Sequence, residues 1–244
     1  MIDRTLKALS LMLSYPTAGL QAAMPEIGAL LAADPRIAPD RRAALADLAG
    51  DLGQGDLYDL QERFVMLFDR SRSLSLNLFE HVHGESRERG GAMVSLIETY
   101  RAAGFEPATS ELPDHLPVLL EFLSNRPAAE AQETLADAAH ILDALARRLQ
   151  RRESRYAAVF TALSGLAGAT ADAEALAEKL AGMLAEPEDD PTDLAALDAI
   201  WAEAEVTFGP DPNAGCPQVR DMLAQMGAPS PAKKPAPAPL NGRA

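Results

Sequence analysis

Leu135, Ala138, Leu142, Leu145 and Leu149 recur at alternating three- and four-residue steps. That spacing lines one face of an α-helix and cannot line one face of a strand. The same rhythm runs through Leu57, Leu60, Phe64 and Leu67, and through Leu116, Leu119, Leu120 and Leu123. Shorter versions occur at Leu6, Leu9 and Leu13, at Leu176, Leu180 and Met183, and at Leu194, Leu197 and Trp201. A chain made of such stripes buries them by packing helix on helix.

Breakers fall between the stripes: Pro16, Pro35 with Pro39, Gly53 with Gly55, Gly104 with Pro107, Pro113, Pro127, Gly168, and Pro187 with Pro191. They divide the chain into about nine or ten helices. Thr17, Ser154, Thr170 and Thr192 stand where a side-chain oxygen is useful as an N-cap. The expected fold is all-α, a single-domain helical bundle over residues 1–226. One stretch departs from the rhythm. Ser73-Leu74-Ser75-Leu76-Asn77-Leu78 alternates strictly, but no comparable strand exists to pair with it, and a lone strand leaves its backbone groups unsatisfied. It is read as an extended or short helical connection.

From Gly227 onward Pro229, Pro231, Pro235, Pro237 and Pro239 alternate with Ala, Ser and Lys. Such a composition cannot bury a core, so residues 227–244 are expected to be a disordered Pro-rich tail. The net charge of −14 includes the tail's Lys233, Lys234 and Arg243; without those three positive charges the body carries −17. An anionic body repels phosphate backbones, which argues against nucleic acid as a partner. The same field would attract a basic peptide, and it serves equally to keep the chain in solution.

At 244 residues the chain is long enough to bury roughly 70–75% of its unfolded surface without cross-links. Its single cysteine, Cys216, excludes an internal disulfide or a multi-cysteine metal site. The opening MIDRTLKALSLMLSYP has Asp3 within a short apolar run and does not read as a secretory signal. No stretch approaches the roughly 20 apolar residues of a membrane span, so a cytoplasmic protein without direct membrane insertion is expected.

Two polar clusters stand out, Glu80-His81-Val82-His83-Gly84-Glu85-Ser86-Arg87-Glu88-Arg89-Gly90 and Glu111-Leu112-Pro113-Asp114-His115-Leu116. Imidazoles and carboxylates together raise a metal-dependent enzyme using His81, His83, Asp114 and His115. Against it, residues two apart on a helix point about 200° away from each other, and no H-E-x-x-H arrangement is present. Phosphate-binding and nucleophile-elbow motifs are also missing. Cys216 has no base near it in sequence and reads as a small packing residue near the end of the body. His140 reads as a helix-edge residue, Trp201 as core, and the run Arg147, Arg148, Arg151, Arg152 and Arg155 as solvated helix faces. Neither a catalytic residue nor a metal site or resident cofactor is expected.

The segment Tyr58-Asp59-Leu60-Gln61-Glu62-Arg63-Phe64, the run from Leu74 through Gly90, Ala92-Met93-Val94, and Glu111-Leu112-Pro113-Asp114-His115-Leu116-Pro117 followed by Leu120-Glu121-Phe122-Leu123 together resemble the NarJ-type nitrate reductase assembly chaperones. These belong to the wider group of redox-enzyme maturation proteins. The resemblance covers about residues 4–125, with fainter echoes at Val206-Thr207-Phe208-Gly209 and Gly215-Cys216-Pro217. It implies an all-helical, cytoplasmic, non-catalytic protein. Such a chaperone binds the amino-terminal segment of the apo catalytic (alpha) subunit of nitrate reductase. It holds that subunit until the molybdenum cofactor is inserted and is not a subunit of the mature enzyme.

Recognition of such a segment needs an apolar trough with a charged rim. Leu60, Phe64, Leu67, Leu116, Leu119 and Leu120 are candidates to line it, though for each residue taken singly core packing is the favoured reading. Glu80, His81, His83, Glu85, Arg87, Arg89, Glu111, Asp114, His115 and Glu121 are candidates for the rim, where carboxylates would meet basic client residues at about 1 kcal/mol or less per exposed pair. Arg87 and Arg89 are equally suited to holding the loop by pairing with Glu85 or Glu111. An acidic adaptor for a different molybdoenzyme is a further alternative.

Overall fold

The computed structural model describes residues 2–83, 86–168 and 173–185. They all fall within one compact unit, residues 1–196. Thr170, Thr192, Trp201, Cys216 and the expected tail lie outside them.

Eleven α-helices are present among the described residues: α1 Arg4–Met12, α2 Ala18–Ala33, α3 Pro39–Gln54, α4 Leu57–Phe64, α5 Leu78–His83, α6 Arg87–Ala102, α7 Leu116–Ser124, α8 Ala128–Asp137, α9 Ala139–Arg151, α10 Ala157–Ala167 and α11 Ala173–Ala185. A π-helical turn, Val65–Asp69, extends α4, and a 3-10 turn, Arg72–Leu74, comes next. The count exceeds the expected nine or ten partly because one leucine stripe serves two helices. Leu135 lies in α8 and Leu142 in α9, and the chain bends between them at Ala138 without a proline or glycine to announce it.

Capping is local and chemically ordinary. Asp3 accepts from the Thr5 and Leu6 amides at 3.0 and 3.2 Å, Thr17 from Leu20 at 3.2 Å, and Asp56 from Tyr58 at 2.9 Å. Each satisfies a donor that the first helical turn leaves open. Ser154, an expected cap, makes no such bond; Tyr156 begins α10 without one.

The helices pack in a chain of pairs, α1 on α7 and α2, α2 on α3, α3 on α10, α10 on α8 and α9. The α2–α3 approach is close because glycines make room: a Cβ on Gly28 would meet the Ala49 Cβ at 3.1 Å, and one on Gly53 would meet the Met24 Cβ at 3.2 Å. The stripe at Leu194, Leu197 and Trp201 lies outside the described residues. Most residues of the stripes within them join one continuous core, among them Leu6, Leu9, Leu13 and Leu142, and Leu45 and Leu48 of α3 join it without having shown a stripe. An aromatic group on the π turn completes it, with Phe68 5.0 Å from Phe64 and 5.1 Å from Tyr156 between ring centres. Arg36 locks the amino end by donating to Asp3 at 2.7 Å and to Asp34 at 2.7 Å. Its guanidinium and the Thr5 hydroxyl hold the Asp34 carboxyl down to about 2, against a desolvation that works the other way.

The alternating stretch finds a partner that the sequence conceals. Ser75–Asn77 runs extended past the segment entering α7 and makes a single antiparallel bridge, Asn77 to His115. The Leu116 amide donates to the Leu76 carbonyl at 2.8 Å and the Leu78 amide to the Asp114 carbonyl at 3.2 Å. Leu74, Leu76 and Leu78 are buried, and so are the alternating Ser73 and Ser75. Alternation here reflects a segment enclosed on both faces.

Candidate functional site

That bridge joins the two polar clusters. The first enters through the 3-10 turn, the extended segment and α5, the second through the loop into α7, so residues about 35 apart in sequence meet. Asp114 sits at the join and is only 1% exposed. Its Oδ2 accepts from the Phe79 amide at 2.9 Å, capping the first turn of α5, while its Oδ1 is buried without a hydrogen-bond partner. Burial pushes the Asp114 carboxyl up; the Phe79 amide and the Arg89 charge oppose this, and Glu80 adds to the rise. Asn77 Oδ1 and His115 Nδ1 are likewise buried without a partner. Burial also holds the His115 imidazole below its usual range, against the pull of Glu111.

Around this join the other candidates divide. Glu80 of α5 and Arg89 of α6 are half-buried and paired at 3.1 Å, so Arg89 holds α6 against α5 through Glu80. His81 Nε2 lies 2.8 Å from the Ser75 carbonyl oxygen, which requires the proton on that nitrogen. His83 meets the Phe79 ring edge-on at 5.8 Å and has Glu88 at 3.9 Å. Glu111 is exposed on its loop, near enough to Asp69 to reinforce the rise that burial gives that carboxyl. Glu121, further along α7, is engaged by Lys7 of α1 at 2.5 Å and stands apart from the cluster. Glu85 and the side chain of Arg87 lie outside the described residues.

Several expectations are corrected. Asp114 is not a rim charge, because its oxygens face the inside of the fold. Leu60, Phe64, Leu116, Leu119 and Leu120 are 6% exposed or less and are core residues rather than the wall of an open trough; Leu67 is half-buried against them. The buried leucines and Phe64 close the bundle, and Leu67 keeps part of its surface open. Arg148 is not on a solvated face. It is 1% exposed, donating to the Ser73 carbonyl at 2.8 Å and to the Met183 carbonyl. Its position was readable, since it falls three residues after Leu145 and seven after Ile141, on the buried side of α9.

Apolar surface stays open in and beside the polar clusters, as it does at Ile2, Tyr15 and Tyr58 elsewhere on the molecule. Val82 of α5, Val94 of α6 and Leu112 of the loop are among the exposed large apolar side chains, at 54%, 57% and 45%. Among the described residues no three His, Cys, Asp or Glu side chains group closely enough to hold a metal ion, and no helix is long and apolar enough to cross a membrane. The arrangement is a rigid polar join flanked by exposed apolar and charged side chains. Such an arrangement can offer a surface to another chain.

Comparison with known proteins sharpens that class. The family model described as nitrate reductase delta subunit matches residues 34–162. The Escherichia coli K12 protein named nitrate reductase molybdenum cofactor assembly chaperone NarJ is 44% identical over 207 residues, covering 85% of this chain and 86% of that one. The same organism's probable nitrate reductase molybdenum cofactor assembly chaperone NarW is 39% identical over 86% of each. The Bacillus subtilis strain 168 protein named probable nitrate reductase molybdenum cofactor assembly chaperone NarJ is 31% identical over 65% of this chain and 85% of its own. The chain belongs to the nitrate reductase delta subunit family.

Proposed function

We propose that this protein is a dedicated assembly chaperone for a respiratory nitrate reductase. It binds the amino-terminal segment of the apo catalytic subunit in the cytoplasm and keeps it open while the molybdenum cofactor is inserted. It leaves before the enzyme is complete and catalyses no reaction itself. The observation that carries this reading is the 44% identity to NarJ along 85% of the chain, which includes both polar clusters. The site is consistent with it. Val82, Val94 and Leu112 offer apolar surface to a peptide, and Glu111 and the body's net negative charge favour a basic one.

Calorimetry tests the proposal: the purified protein should bind a peptide copying the first 15–20 or so residues of the catalytic subunit, about four to five helical turns. Absence of heat and of competition at peptide concentrations on the order of tens of micromolar, where Kd near 1 μM would saturate the protein, sinks it. Tighter binding by the equivalent peptide of another molybdoenzyme would move the client.

A further inference from the structure

α11 is held by a shallow apolar stripe and a side-chain cap at its carboxyl end. From Glu174 to Ala185 its two buried side chains are Leu180 and Met183, with Leu176 and Leu184 half-buried; α9, the helix it packs on, buries eight. Its carboxyl end is received by one side chain. The Arg148 guanidinium donates through Nη2 to the Met183 carbonyl and through Nη1 to the Ser73 carbonyl at 2.8 Å. The last four carbonyls of a helix have no intrahelical donor, and Met183 is among them. One guanidinium therefore caps α11 and fastens the turn leading into the extended segment beside α7.

The charge of Lys179 on α11 is also felt on α9. Burial holds the His140 imidazole of α9 below its usual range, Lys179 of α11 pushes it further down, a backbone hydrogen bond to Asp137 opposes this, and His81 of α5 adds to the lowering. Lys179 and His81 therefore both act on the His140 side of α9, the helix that α11 packs on.

Arginine is an expensive residue to bury for packing alone. What its fork supplies is a pair of directed donors for backbone carbonyls. A seat made of an apolar α9 face and those donors reads two properties, an apolar stripe at i, i+4, i+7 and a helix carboxyl terminus, and neither depends on a particular sequence. We propose that the α9 face around Arg148 is a receptor for an amphipathic helix, occupied in this structure by α11, and that the client's amino-terminal segment binds by displacing α11. The inference rests on the assembly-chaperone reading and adds a seat for the peptide's helix, distinct from the open apolar surface of Val82, Val94 and Leu112, and what guards that seat. A cis occupant lowers apparent affinity by the fraction of molecules in which it is seated, so weakening the occupant raises affinity without altering the receptor.

The test uses the full chain with Leu180→Glu and Met183→Glu, changes that lie on α11. The client peptide should bind the double variant about tenfold more tightly than the wild type. In the wild-type complex, amide exchange should accelerate across 173–185 and slow across 139–151. If the double variant loses its fold, Ala177→Gly with Ala181→Gly weakens α11 at exposed positions and should shift affinity the same way. Equal affinity for wild type and variant, with 173–185 still protected in the complex, overturns the inference and leaves the chaperone reading standing. No binding to either protein overturns both.

Discussion

α9 and α6 are helices of similar length held in opposite ways. α9, 13 residues, buries Ile141, Leu142, Leu145 and Leu149 among eight side chains, and it carries α10, α8 and α11. α6 has 16 residues, yet of its described side chains Tyr100 alone is buried. That ring packs 4.6 Å from Phe122 and 5.3 Å from Phe105, and its hydroxyl donates to the Pro113 carbonyl at 2.7 Å. At the other end, Arg89 reaches Glu80 of α5. One helix is fixed along its length, and the other is pinned near its two ends with Val94 exposed between them. A folded protein that must grip another chain needs both, a frame that does not yield and an element drawn from the low-stability end of the fold.

The contrast can be broken most directly by truncating each helix. Leu145→Ala in α9 should cost about 2–5 kcal/mol, as full burial and poor collapse dictate, whereas Leu96→Ala on half-buried α6 should cost about 1 kcal/mol or less. Denaturant unfolding with equal losses for the two would show that α6 belongs to the frame. A smaller effect is expected for Tyr100→Phe, which keeps the ring and removes its hydrogen bond to Pro113, at about 1 kcal/mol. Amide exchange should then rise mainly within 87–102; a uniform rise would mean that the hydroxyl supports the whole bundle.

The finest probe is Asp114→Asn, which keeps an acceptor for the Phe79 amide and removes a titrating group. Burial raises the Asp114 carboxyl in the folded state, so its ionisation opposes folding at neutral pH. That opposition fades as pH falls through the folded value towards the unfolded value near 4. The stability difference between the wild type and Asp114→Asn should therefore change steadily over that window, in the direction that favours the wild type in acid. A flat difference would mean that the carboxyl is solvated after all.

Much of this architecture was readable from periodicity. The stripes of α1, α4, α7 and α11 appear where their leucines place them, because a helix that must bury one face advertises it every three or four residues. The bend at Ala138 was hidden, since the stripe runs through it unbroken and no breaker marks it. The site was less legible. Glu80, His81, His83 and Asp114 could be named as a cluster from their residue types, but their roles depend on the Asn77–His115 bridge, and a single bridge between two loops leaves no periodic trace. Asp114 looked solvated for the same reason: an acidic side chain is exposed by default, and only tertiary enclosure says otherwise.

The π turn at Val65–Asp69 has a consequence of a different kind. Such a turn accommodates one residue more than an α-helix of the same span, and one residue is about 100° of helical rotation. Everything downstream, from Ser71 to the extended segment that meets His115, owes its bearing to that surplus. The aim of this region is thus set by a residue count, and side-chain identity does not encode it. Point substitution can weaken the π turn, but only insertion or deletion can re-aim the segment beyond it.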